Sequence, residues 1–471
     1  MSIRIHLVCL SAIILPYCFL VKDSISRGPY TYDEADYMYA ASLGPLAHYT
    51  DSPTLPITDF VHTGLGQATK SGERMALSRS IRDSNDIVFY RHWHGPLFFY
   101  PLLILNSFHL DEHTVRSVML IVPIFTKLVM YFGSLWLIPG WAGAAAAWLT
   151  STMYLWSYVT VSATELAPHQ LFVLCYVAAL FLLAKMVVTG QRKYWFGGVV
   201  ASALAFCVLE VAFVLILTLA VCCFAERQRL NANFSFIARS ILLFLATVLI
   251  VWPGAILKLS FLKAYAFMAY LAVYRKGAWG AVGLAETWWI RFSNSPVEWI
   301  LIATAVVLFF RNGKGPTSVR AAAFFGTMMI LATLRVYSEA PRYALTFLPA
   351  LEVFAGLTLA GAIASLPASI RIPAILAMCA ALFLNTLLRV HPFPPAADAS
   401  AEAILRCVRE SHFEDKSLLV PQGYLPMLHY YFPKARLQGY LEDAPPLNAF
   451  DGARLDGVMF PGNPVRCAPA P

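Results

Sequence analysis

Charge is what this chain has least of. Only 13% of its 471 residues are charged, and Asp plus Glu number just 27, where a soluble globular protein carries roughly 25% charged residues. With 59% hydrophobic residues and a mean hydropathy of +0.62, the apolar surface can be buried only in lipid, which excludes a soluble enzyme. No glycine-rich phosphate loop follows a predicted strand, so a sugar-nucleotide site of the soluble kind is not expected. An internal repeat is lacking as well, which removes support for an inverted-repeat transporter. No small-x-small cleavage site follows the first apolar run, so residues 3–21 read as a retained helix rather than a signal peptide. The net charge of +8 sits in short loops between apolar runs, a topological signature and not a nucleic-acid stripe.

Apolar windows predict helices at 3–21, 116–137, 141–162, 169–187, 194–209, 210–225, 235–257, 297–311, 320–335, 343–364 and 372–390, because lipid leaves the backbone no alternative. Lys185, Arg192 and Lys193 mark one cytoplasmic loop, Arg227, Arg229 and Arg239 a second, and Arg311, Lys314 and Arg320 a third. Segment 194–225 begins and ends at such loops, so it must cross twice and turn near Glu210. Parity then predicts an all-α polytopic membrane protein of about eleven transmembrane helices, N-terminus cytoplasmic and C-terminus outside. Two long outer loops follow, 22–115 and 258–296; in the second, Lys258, Lys263, Tyr274, Arg275, Lys276 and Arg291 suit the headgroup level. The run 96–108 is too short to cross and is expected along the interface, with Pro96 in its first turn.

Residues 1–390 form the predicted membrane domain. A linker with Pro392, Pro394 and Pro395 opens a small extracytoplasmic α/β domain at 391–471, in which Ser417–Pro421 reads as a strand. Cys9, Cys18, Cys175, Cys207, Cys222, Cys223 and Cys379 fall in apolar segments as small filler. Cys407 and Cys467 lie in the tail, either bridged in an oxidising compartment or as two free thiols.

The scarce acids collect in Tyr32-Asp33-Glu34-Ala35-Asp36-Tyr37, just beyond the first helix. A carboxylate there can take a proton from a hydroxyl or hold a divalent cation; the plain alternative is a solvated loop that caps a helix. Asp33 and Glu34, as neighbours, diverge, whereas Asp33 and Asp36 share a helical face. His92 and His94 flank Trp93 before Gly95-Pro96; they could bind a metal or contact a phosphate, but spacing places no third ligand, and interface histidines beside aromatics are more often structural anchors. Arg342 and Tyr343, between two predicted spans, offer planar recognition of phosphate, against the alternative of an arginine snorkelling from a helix end. Glu165 and Glu210 map to outer helix ends and could line the same cavity; Glu352 lies deeper and suits a hydrogen bond to another helix.

Together these segments resemble the GT-C glycosyltransferase superfamily, and within it the protein mannosyltransferase-like branch that includes the aminoarabinose transferases of lipid A and the rhizobial core galacturonosyltransferases. The resemblance rests on Asp33-Glu34-Ala35-Asp36-Tyr37, on His94-Gly95-Pro96-Leu97-Phe98-Phe99-Tyr100, on Asp111-Glu112-His113-Thr114-Val115-Arg116 and on Arg342-Tyr343, in that order over most of residues 1–365. It implies a bacterial inner-membrane transferase that moves a sugar, with inversion, from a polyprenyl-phosphate donor to a glycan, lipid or protein hydroxyl on the outer face. Asp33 would then be the catalytic carboxylate, with Glu34 supporting it or a divalent cation, the one cofactor in question. Arg342 would meet the donor phosphate beside Tyr343, and Asp36, His92, His94, Glu165 and Glu210 would line the site. Gly95 departs from the usual His-Pro-Pro-Leu, which would leave the backbone freer, and Glu210 stands where many relatives carry lysine. The rival readings are a transporter or flippase of lipid-linked sugars, a polymerase or ligase of envelope glycans, and a non-catalytic scaffold of envelope glycan assembly.

Overall fold

The computed structural model describes residues 3–43, 94–253, 292–311, 341–392, 395–440, 455–462 and 465–470, with 289, 324, 326 and 327. His92, most of the first outer loop, the basic cluster of the second and all but three residues of the expected span at 320–335 lie outside the described residues.

Helices dominate. In chain order they are α1 (Ile3–Val21), α2 (Tyr32–Ser42), α3 (Phe99–Ser107), α4 (Glu112–Met119), α5 (Ile121–Leu137), α6 (Gly140–Leu155), α7 (Tyr158–Ser162), α8 (His169–Thr189), α9 (Arg192–Phe206), α10 (Phe213–Ala225), α11 (Arg227–Leu230), α12 (Phe234–Val251), α13 (Pro296–Arg311), α14 (Pro341–Ala344), α15 (Leu348–Ala364), α16 (Ala368–Leu387), α17 (Pro395–Glu410) and α18 (Leu425–Tyr431). Among the described residues five helical stretches are long and apolar enough to cross a membrane: Arg4–Val21, Glu112–Leu137, His169–Thr189, Phe234–Val251 and Ala368–Leu387. Their outward faces expose Val8, Leu15, Leu242 and Ile250, which only lipid can cover.

Three expected spans are interrupted, 343–364 between Ala344 and Leu348, and the other two for a local reason. The window 141–162 ends as α6 at Leu155 and restarts as α7, because Ser157 caps the new helix by accepting from Thr160 N at 3.1 Å. The stretch before Leu137 breaks at Leu120, after a short polar helix whose cap, Asp111, accepts from Thr114 N at 2.9 Å. Segment 194–225 does turn at Glu210: α9 and α10 flank a 3-10 turn at Glu210–Ala212. Pro96 starts a 3-10 turn, Pro96–Phe98, ahead of α3.

Helix α6 is the hub, packing on α1, α5, α15 and α16. It can do so because it is small: Ala145, Ala146 and Ala147 are buried, and Gly356 of α15 lies so close to Thr150 that a Cβ would overlap it. Within the bundle, buried Lys127 donates to the Leu10 carbonyl at 3.3 Å. Glu352 does reach another helix. It meets Glu298 of α13, whose other oxygen accepts from Ser295 Oγ at 2.7 Å. Among the described residues no protein donor reaches either Glu352 oxygen, so the pair is satisfied only when one carboxyl keeps its proton.

The C-terminal part is a four-stranded sheet of order β2-β1-β3-β4, with β1 Ser417–Pro421, β2 Arg436–Tyr440, β3 Gly457–Phe460 and β4 Arg466–Pro469. β1 runs parallel to β2 and β3, and β4 pairs antiparallel to β3 with Met459 opposite Cys467. Helix α18 makes the crossover from β1 to β2, as a parallel pair requires. A disulfide joins Cys407 of α17 to Cys467 of β4, Cα to Cα 5.7 Å.

Candidate active site

The site begins where the chain leaves α1. Residues 26–30 run irregularly, and Thr31, in extended conformation, is the cap residue of α2. Asp33 and Glu34 fall in the first turn, where the helix dipole favours negative charge. Adjacent helical positions point about 100° apart, and the two carboxylates go to different arginines.

Glu34 is buried against Arg116 of α4: Nε donates to Oε1 at 3.0 Å and Nη2 to Oε2 at 2.6 Å. The remaining guanidinium hydrogens go to the carbonyls of Ser26 (3.2 Å), Gly28 (2.8 Å) and Pro29 (3.1 Å). All five Arg116 donors are thus used. Leu166 N adds a bond to Glu34 Oε1 at 2.8 Å. Arg116 and Glu34 expose only 1% and 12% of their side chains. This is a structural lock on the entry to α2.

Asp33 faces the other way. Its Oδ2 accepts from Arg342 Nη2 at 3.0 Å, and Glu165 Oε2 accepts from Nη1 at 3.0 Å. Arg342 stands on the single turn of α14, its guanidinium 5.2 Å over the Tyr343 ring. Side-chain exposures of 53% for Asp33, 38% for Glu165 and 20% for Arg342 describe an open-topped recess. Burial opposes the Arg342 charge, but Glu165 and Asp33 outweigh it and push its pKa up, so the cation is permanent. Burial also raises the Glu165 carboxyl above its ordinary range, with Arg342 pulling it back and Glu34 and Asp33 raising it further. Its open side moderates that shift. Arg342 Nε is buried and meets no protein acceptor among the described residues.

Aromatic and imidazole rings wall the recess. Tyr37 packs on His94 at 5.6 Å and edge-on to Phe98 at 5.3 Å, and Tyr343 meets His169 edge-on at 5.3 Å. Gly95 is not there for backbone freedom, contrary to expectation. Its φ of −66° and ψ of 156° are open to any residue, but a Cβ would overlap the Cys207 carbonyl. That carbonyl accepts from Leu97 N at 3.1 Å, stitching the histidine segment to the end of α9.

Of the expected site residues, Asp33, Glu165, Arg342 and Tyr343 converge, with His94 on the adjoining wall through Tyr37. Asp36 follows Asp33 by one turn. Glu34 sits beside them but is committed to Arg116. The backbone of Glu210 lies in its 3-10 turn, and His92 falls outside the described residues. No group of three or more His, Cys, Asp or Glu gathers among the described residues. With Asp33 and Glu165 held by Arg342 and Glu34 by Arg116, the donor set does not suit a cation on Asp33 and Glu34 as expected. Sequence reasoning named Arg116 only within a motif and missed its role; an arginine at the mouth of an apolar span had to find a buried partner. His169 was missed, and nothing in its surroundings in the sequence distinguished it.

No protein-family model matches the chain, and no curated protein matches it. Its fold does have solved counterparts. ArnT from Cupriavidus metallidurans, bound to undecaprenyl phosphate, aligns over 94% of this chain and 87% of its own, at 13% identity and TM-score 0.58. The oligosaccharyltransferase of Archaeoglobus fulgidus, tethered to an acceptor peptide, aligns over 92% of this chain at 12% identity and TM-score 0.53. The same enzyme, AglB, with an inhibitory peptide and a dolichol-phosphate, aligns at 11% identity and TM-score 0.50. The chain spans 64% of the length of that oligosaccharyltransferase. The fold these two neighbours share is also the fold of this chain.

Proposed function

We propose that this protein is a polytopic membrane glycosyltransferase that takes its sugar from a lipid-phosphate carrier at the outer membrane face. The observation that carries the reading is the meeting of Asp33 and Arg342, 309 residues apart in sequence and 3.0 Å apart in space. A carboxylate and a fixed cation, side by side in an open recess, match the two charges that glycosyl transfer from a phosphate must handle.

The acceptor hydroxyl attacks the anomeric carbon while the carbon–oxygen bond to the phosphate breaks. Asp33 takes the hydroxyl proton, help worth about 10²–10⁴-fold. Arg342 takes the charge that develops on the departing phosphate. Attack opposite the leaving group inverts the anomeric centre. In the free protein Asp33 and Glu165 stand in for that phosphate. Because Asp33 is half exposed, its ion pair is worth only about 0–1 kcal/mol, so an arriving phosphate displaces it easily. The buried Arg342 Nε offers one more donor.

The orientation follows the same reading. α2, α4 and the C-terminal sheet domain contact one another, so they share one side, and a disulfide in that domain suits an oxidising compartment. On this reading the C-terminal sheet domain and the recess face the periplasm of a bacterial inner membrane, and the acceptor is a glycan, glycolipid or protein hydroxyl. ArnT and the oligosaccharyltransferase, the structural neighbours named with undecaprenyl phosphate and dolichol-phosphate, favour a polyprenyl carrier. The test is a deletion strain complemented with Asp33→Asn or Arg342→Ala. Both variants should insert normally and lose the glycan or glycolipid product; full product from both would end the proposal.

A further inference from the structure

The C-terminal domain does more than follow the membrane bundle: it holds the helix that carries Asp33 at two places. Tyr431, the last residue of α18, accepts from Tyr30 N at 2.8 Å and donates to Glu112 Oε1 at 2.7 Å. Tyr30 immediately precedes the cap residue of α2, and its ring lies 5.0 Å from the Arg116 guanidinium and 5.5 Å from the Tyr430 ring. Further along α2, Tyr39 stacks on His429 at 5.4 Å, with the rings 24° apart. A second arm comes from α17: Asp398 accepts from Ser26 Oγ at 2.7 Å and from Arg27 N at 3.3 Å. Gly28 permits this approach, since a Cβ there would overlap the Asp398 side chain. Segment 26–30 is therefore gripped from two sides, by Arg116 of the bundle and by Asp398 and Tyr431 of the domain.

Resting on the transferase reading, we infer that the domain is a clamp that fixes the catalytic helix, with Tyr431 and Asp398 as positioning residues and the Cys407–Cys467 disulfide coupling its two arms. The coupling follows from connectivity. Cys407 is on α17, which carries Asp398; Cys467 is on β4, which pairs with β3, then β1, and β1 leads into α18. Burial and the bond to Glu112 raise the Tyr431 phenol pKa, so it remains a donor at any physiological pH. Neither Tyr431 nor Asp398 contacts Asp33 or Arg342, so each acts through the placement of α2. Reduction of the disulfide would leave both arms in the chain but free to move independently.

The test uses full-length protein in lipid nanodiscs and two readouts: hydrogen exchange of the amides of residues 34–42, and transfer kinetics with a polyprenyl-phosphate sugar. Tyr431→Phe keeps the ring and removes both hydrogen bonds; Asp398→Asn weakens the other arm; Cys407→Ser with Cys467→Ser uncouples them. Each should speed exchange in 34–42 by about tenfold, on the order of one lost hydrogen bond, and lower kcat while leaving KM for the donor unchanged. Unchanged exchange in all three would overturn the clamp. Wild-type protein without transfer activity, but with the exchange pattern intact, would overturn the transferase reading and leave the clamp standing.

Discussion

Glu34→Gln is the perturbation whose outcome the geometry constrains most tightly. The wild-type carboxylate receives two Arg116 donors and the Leu166 amide. The amide of glutamine keeps the shape but presents its NH2 to a guanidinium that has no acceptor to spare. Arg116 then remains as a buried cation held by three carbonyls. Removing one partner of a buried pair costs about 3–5 kcal/mol, mostly as the penalty of the stranded charge. The low exposure of both side chains puts this pair in that class and not among surface bridges. The assay is thermal unfolding in nanodiscs for Glu34→Gln, Arg116→Met and the double variant. The double variant should recover part of the loss, since the stranded charge is gone, with a coupling on the order of 0.5–3 kcal/mol. A Glu34→Gln protein within about 0.5 kcal/mol of wild type, the range of an ordinary surface change, would refute the lock.

Three further outcomes are expected. Gly95→Ala drives a methyl into the Cys207 carbonyl and should destabilise by about 1–3 kcal/mol, read as a lower unfolding midpoint, with Gly95→Pro no better. Glu165→Gln should flatten the pH dependence of the donor KM: the Glu165 carboxyl is raised, so in wild type it gains charge only above the usual carboxylate range, and once charged it competes with the donor phosphate for Arg342. An unchanged pH dependence of KM would show that Glu165 does not tune Arg342. Glu352→Gln supplies permanently the hydrogen that the Glu298–Glu352 pair must share, so its unfolding midpoint should match wild type, while Glu352→Ala, which opens a void, should lose about 2–5 kcal/mol of stability and unfold at a lower midpoint.

The sequence showed the class of fold because lipid enforces it: apolar windows and loop cations located most helices, including the turn at Glu210. Where it erred, the cause was local polarity within an apolar run, as at Ser157; the expected span 116–137 persists within the apolar stretch Glu112–Leu137, with the short polar helix Glu112–Met119 at its front. The divergence of Asp33 and Glu34 was readable from adjacency alone. Their partners were not, because Arg116 and Arg342 reach them across 82 and 309 residues, and no periodicity records such distances. Gly95 shows the same limit: its reason lies in a carbonyl from α9, which only the folded chain brings near. Tyr431 was invisible for the same cause, a tyrosine among several in a tail read only as a small domain.

The contact of Tyr30 with Tyr431 spans 401 residues, and this sets a timetable for biogenesis. Tyr30 is synthesised that far ahead of Tyr431, so the segment leading into α2 gains this fastening, and that to Asp398, only after those later residues have been made and have folded. Until then the nascent chain holds the entry to α2 from the Arg116 side alone.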